Sequence, residues 1–71
     1  MYYIIHVVKK WTPGVWDTVG EFIQAESEDL DLISLRCQEL NEGINLRQHH
    51  YCEIRQSAEG LTKSEFYNSN L

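Results

Sequence analysis

The stretch that decides the fold is Tyr2-Tyr3-Ile4-Ile5-His6-Val7-Val8-Lys9-Lys10-Trp11, then Thr12-Pro13-Gly14, then Val15-Trp16-Asp17-Thr18-Val19-Gly20-Glu21-Phe22-Ile23-Gln24-Ala25. Both long runs are crowded with β-branched and aromatic residues, which fit a pleated, half-buried surface. Between them Pro presets φ for a turn and Gly accepts a positive φ, so the chain reverses. The runs predict an antiparallel hairpin. Strict alternation puts Tyr3, Ile5, Val7 and Trp11 on one side of the first strand and Tyr2, Ile4 and Val8 on the other. On the second strand Val15, Val19 and Ile23 point one way, and Trp16, Gly20 and Phe22 the other.

Beyond the hairpin the period changes. Leu30, Ile33, Cys37 and Leu40 recur at helical spacing and predict one amphipathic helix. Ser27 is the expected N-cap, with Glu28, Asp29 and Asp31 suited to the positive end of the macrodipole. Gly43 is the expected C′ residue, with Ile44 as its apolar companion. Leu46-Arg47-Gln48 connects to a third strand over 49–56, where His50, Cys52 and Ile54 face opposite to Tyr51, Glu53 and Arg55. Thr62-Lys63-Ser64-Glu65 before Phe66-Tyr67 matches a capping box, and a short terminal helix and a frayed tail are equal alternatives here. The expected fold is therefore α+β: a ββαβ domain over 1–58 with a tail or short helix over 59–71. Strand one is apolar on both faces and belongs in the centre. The expected sheet is three-stranded, wholly antiparallel and ordered 2-1-3, with the helix on one face. Order 1-2-3 is the alternative.

Seventy-one residues suffice for one domain with a thin core. The balance of 6 Lys+Arg against 11 Asp+Glu gives a net charge of -5, a field that opposes nucleic acid and anionic membrane and favours basic partners. No basic leader precedes the first strand, and no apolar run is long enough to span a bilayer. These features predict a cytoplasmic protein with reduced thiols. Cys37 and Cys52 have a spacing that a helix-to-sheet disulfide permits, but that compartment argues against one.

One amphipathic helix covers only one face of a small sheet, and the hairpin is apolar on both. Uncovered large side chains at about 25 cal/mol per Å² represent several kcal/mol of unrealised burial. Soluble chains rarely leave such a patch open without a use for it. On the helix, Leu32 and Leu35 fall away from the main apolar stripe among Glu28, Asp31 and Glu39, which resembles an interface core with a polar rim. The expected contact residues are Trp11, Trp16, Phe22, Glu28, Asp31, Leu32, Leu35 and Glu39, and the expected partner is another protein or a second copy. The competing expectation is that Leu61, Phe66, Tyr67 and Leu71 fold over the bare face and bury it internally.

Sites for chemistry are thinly supported. His49, His50, Cys52 and Cys37 are zinc donors by type, but no C-x-x-C or paired H-x-x-x-H sets their spacing. Buried cysteines packed as small hydrophobes explain them better. No histidine or carboxylate sits in a motif that positions a catalyst, so no cofactor, metal or enzymatic activity is expected. Lys9, Lys10, Arg47 and Arg55 beside exposed aromatics make a nucleic-acid regulator the alternative, and a structural subunit is a third reading.

Element order, length and acidity over residues 1–56 resemble the small ββαβ accessory proteins of phages and other mobile elements. That population includes anti-CRISPR and other anti-defence inhibitors. The resemblance implies a stoichiometric binder of a host or phage protein, often dimeric. It rests on layout and assigns no residue a role.

Overall fold

A computed structural model describes residues 1–43 and 49–68. The order of elements is β1 (Tyr2–Thr12), β2 (Val15–Ser27), α1 (Leu30–Gly43), β3 (His50–Arg55) and β4 (Thr62–Asn68). They form an α+β fold with one helix and a mixed sheet ordered β3-β1-β2-β4. The expected core of the sheet is present: β1 lies between β2 and β3 and is antiparallel to both. The sheet is not three-stranded or wholly antiparallel, because β4 adds to the free edge of β2 in parallel.

That fourth strand corrects both expectations for the terminal segment, the helix and the frayed tail. The Ser64 hydroxyl accepts a hydrogen bond from the Phe66 N–H at 3.1 Å, a local turn-like bond inside an extended segment. A capping box works only if the chain behind it finds a helical partner, and here the free edge of β2 takes the segment instead. The helix start is also displaced. Asp29 is the cap: its carboxylate accepts from the Leu32 N–H at 3.2 Å, and its carbonyl accepts the first helical bond from Ile33 at 3.0 Å. Ser27 sits two residues earlier and accepts from the Asp29 N–H at 3.1 Å. The helix runs through Gly43. Ile44, Arg47 and Leu71 lie outside the described residues.

Two apolar clusters sandwich the sheet. Under the helix, Ile4, Ala25, Ile33, Cys37 and Cys52 are buried, with Tyr2, Leu40 and Ile54 at the margin. Leu30, expected in that stripe, is exposed. On the other face Ile5, Val7 and Ile23 are covered by Tyr3, Tyr51, Ala58, Leu61 and Tyr67. The connection from β3 to β4 must cross from one sheet edge to the other, and it carries Ala58 and Leu61 over the face that the helix leaves bare. So the expectation of a covering tail holds for Leu61 and Tyr67, while Phe66 stays 76% exposed.

Strand β2 does not keep strict alternation. It has 13 residues against the 11 of β1. The register steps from Gly20 to Thr18 opposite Val8 and Lys9, and from Ala25 to Ile23 opposite Ile4 and Ile5. Val19 and Gln24 are the extra residues, each a β-bulge that flips the strand's facing. Trp16 therefore stands opposite Trp11, on the face of Ile5 and Val7, while Phe22 stands opposite His6 on the helix face. The expectation that Trp16 and Phe22 share a side is overturned by the bulge at Val19.

Candidate functional site

Four exposed apolar side chains, Trp11, Val15, Trp16 and Val19, gather at the hairpin end. β3 pairs with β1 from Tyr3 to Val8, and β4 pairs with β2 from Phe22 to Ala25. Beyond those limits Lys10–Thr12 and Val15–Val19 have no flanking strand among the described residues, and they project as a two-stranded arm. Pro13 and Gly14 close it, with Gly14 at φ 87°, the positive value that a type II turn requires at its third residue. Trp11 and Trp16 face each other across the arm and are 54% and 52% exposed. Val15 and Val19 are as open. Among the described residues nothing buries these side chains, because the helix and the crossing segment both end short of them.

At the base of the arm the Trp16 ring lies 4.7 Å from that of His49, tilted by 59°. His49 adopts φ 62°, a left-handed conformation sparsely populated by non-glycine residues. Its carbonyl accepts the Lys9 N–H at 2.8 Å, which anchors the bend. The Lys9 ammonium sits 5.5 Å above the centre of the Tyr51 ring, within cation–π range. Lys9, Trp16, His49, His50 and Tyr51 line a cleft of about 340 Å³.

A second cleft of about 290 Å³ opens on the helix face, where His6, Val8 and Phe22 meet Lys63 and Phe66. Phe22 folds back over Gly20, and a Cβ at Gly20 would come within 2.7 Å of its ring. Glycine is needed there for the ring to lie flat on the strand. Beside this cleft the His6 Nε2 and His50 Nδ1 share a hydrogen bond of 2.8 Å across β1 and β3. One nitrogen donates and the other accepts, so at least one ring is neutral. Burial, and then the neighbouring His50, lower the His6 pKa from its usual 6.5.

The helix presents a third surface. Asp31, Leu32, Leu35, Glu39 and Glu42 lie on the side of α1 opposite to Ile33 and Cys37, and all are exposed. Arg36 pairs with Glu39 at 3.3 Å, an exposed contact. Glu28 is exposed just before the cap. The eight expected contact residues thus fall into separate places. Trp11 and Trp16 stand together on the arm, and Phe22 lies on the opposite sheet face beside His6. Asp31, Leu32, Leu35 and Glu39 share the helix exterior with Glu28 at its entrance.

Of the basic residues that pointed to nucleic acid, Arg55 is engaged internally. Its guanidinium donates to both carboxylate oxygens of Glu21, at 2.9 and 2.8 Å, and to Glu53 at 3.0 Å. These partners raise its pKa, and the same contact lowers that of Glu21. Arg47 is outside the described residues. Of the zinc donors, no group of three or more His, Cys, Asp or Glu gathers around a metal-sized space among the described residues. Both cysteines are free and buried. Burial raises the Cys37 pKa and holds the Cys52 thiol up at about 11, so neither offers a ready thiolate.

Three arrangements escaped sequence reasoning: the His6–His50 pair, the Arg55 ion cluster and a bracket made by Asn41. The first two depend on strand register, which alternation alone leaves open. The third joins a helix flank to a sheet edge and carries no local signal. No helix among the described residues is long and apolar enough to cross a membrane. No protein-family model, no curated protein and no solved structure matches the chain.

Proposed function

We propose that this chain is a protein-binding module that docks through its hairpin arm, acting as a stoichiometric inhibitor or regulator and performing no catalysis. The observation that carries the reading is the exposed Trp11–Trp16 pair, set on a ribbon that extends past the covering elements among the described residues. Half-exposed tryptophans on a projecting strand pair are the side chains most enriched at binding hot spots. Lys9, held over the Tyr51 ring, borders the pair on the same face. A nucleic-acid role is less favoured, since Arg55 spends its charge on Glu21 and Glu53 and the chain carries a net charge of -5.

Both tryptophans of the chain are on the arm, so its tryptophan fluorescence reports the arm alone. The test is affinity capture from the native host with the full chain and with Trp16→Asp. A protein held by the first and released by the second should also shift the tryptophan emission to the blue when added pure. Truncating a central aromatic anchor typically costs about 2 kcal/mol or more of binding. Capture that is unchanged in both Trp11→Asp and Trp16→Asp, with folding intact by circular dichroism, would remove the arm from the reading.

A further inference from the structure

The His6–His50 contact holds two nitrogen donors on one face of the sheet at a separation that suits a metal ion. The ladder from Tyr3↔Arg55 to Val8↔His50 runs without a register shift, so β1 and β3 hold these side chains in fixed places. His6 stands opposite Cys52 and His50 opposite Val8, which makes the two histidines diagonal neighbours on the same face. Their ring centres are 4.9 Å apart with the planes tilted by 50°, and His6 Nε2 and His50 Nδ1 lie 2.8 Å from each other. Both residues are only partly buried, and His6 opens onto the cleft of about 290 Å³ with Val8 and Phe22. Each ring has a second nitrogen to carry its proton. The facing nitrogens of two neutral rings can therefore both present lone pairs, with no proton lost from either.

The separation discriminates between ions. Imidazole nitrogens bind late divalent metals at about 2.0–2.1 Å. Two of them at right angles around one ion stand about 2.9 Å apart, whereas a tetrahedral pair stands about 3.3–3.4 Å apart. The observed 2.8 Å fits the right-angled, tetragonal arrangement, which belongs to copper(II) and nickel(II) rather than zinc. Of those two, copper(II) binds nitrogen donors more strongly. Only the rings need to turn, from each other to a shared point. We propose that His6 and His50 form a two-histidine copper(II) site, with His6 Nε2 and His50 Nδ1 in adjacent equatorial positions. Among the described residues no third His, Cys, Asp or Glu joins them, so the other positions are open to water or an outside ligand through the cleft. His6 lies on the helix face and the two tryptophans on the other, so the site stands or falls separately from the docking role of the arm.

The experiment titrates copper(II) chloride into the full chain at pH 7.5, with His6→Gln, His50→Gln and His49→Asn beside the wild type. Folding of each is checked by circular dichroism. The amino terminus is common to all four and contributes an equal background. The ring of His49 lies against Trp16, and asparagine tolerates its positive φ, so this third histidine is the control. The wild type and His49→Asn should bind one ion per chain. Their electron paramagnetic resonance spectrum should show coupling to two imidazole nitrogens. Each of the other two variants should bind at least about tenfold more weakly and lose that coupling. Copper should also raise the Tm of the wild type and leave that of His6→Gln unchanged, because an ion held only by the folded chain stabilises it. Equal binding by the wild type, His6→Gln and His50→Gln overturns the proposal, as does a wild-type spectrum without two coupled nitrogens. So does a loss in His49→Asn as large as that in His6→Gln.

Discussion

Replacing Asn41 with alanine should unfold this domain at a markedly lower temperature, although the residue is only partly buried. Its side-chain amide donates to the Cys52 carbonyl at 2.9 Å and accepts from the Cys52 N–H at 2.8 Å. That is the bonding a neighbouring strand would give. Cys52 stands opposite His6 in the ladder, at a position whose backbone groups point away from β1 and out of the sheet edge. A single amide from the flank of α1 thus supplies one rung of a missing strand and ties the helix to β3. Each bond contributes about 0.5–1.5 kcal/mol, so removing both costs about 1–3 kcal/mol. A domain of this size has a stability of about 4–10 kcal/mol. With a shift of about 4–8 °C per kcal/mol, a midpoint loss near 2 kcal/mol lowers Tm by about 8–16 °C. Thermal melts followed by far-ultraviolet circular dichroism measure this directly. Asn41→Leu should behave like Asn41→Ala, since it restores bulk and no hydrogen bond, and the Cys52 amide should exchange faster in both. A Tm within about 2 °C of the wild type for Asn41→Ala would refute the claim that this bracket holds the edge.

Other consequences test the remaining contacts. Ile33 is fully buried between helix and sheet, so Ile33→Ala should cost about 2–5 kcal/mol in urea unfolding, and a loss below about 1 kcal/mol would mean the helix is not seated as described. His6 has a lowered pKa, so below its usual 6.5 the unfolded chain takes up the proton first. Stability present above that pH is therefore lost as the pH falls through the window below it. Melts of the wild type and His6→Gln from pH 7.5 to pH 5 should diverge in slope there, and parallel curves would exclude the His6–His50 pair as the cause. Both thiols are buried with raised pKa values, Cys52 at about 11, so at pH 8 a disulfide reagent should label neither until denaturant is added. Prompt labelling of the native protein would place a cysteine at the surface.

The chain's local chemistry already determined much of this fold. The β-branched runs, the Pro13-Gly14 reversal and the Leu30–Leu40 period suffice for a hairpin followed by a helix, because each is read from neighbours within a few residues. The apolar character of β1 on both faces placed it inside the sheet for the same reason: only a strand covered on both sides can carry it. Alternation also assigned the two faces of β3 correctly, since that strand has no bulge. What needed tertiary structure was every choice made between distant segments. Thr62–Asn68 became a strand because the edge of β2 was open, and a capping pattern that is intrinsically helical yielded to ladder bonds. Val19 became a bulge only in register with β1, and that single extra residue sent Trp16 and Phe22 to opposite faces. The crossing segment roofed Ile5, Val7 and Ile23 yet stopped short of the arm, so the greasy surplus legible in composition acquired a location only in three dimensions. Pairing energy between strands is shared across the sheet and has no signature within one strand. Where apolar side chains stay uncovered is accordingly a property of the assembled layers.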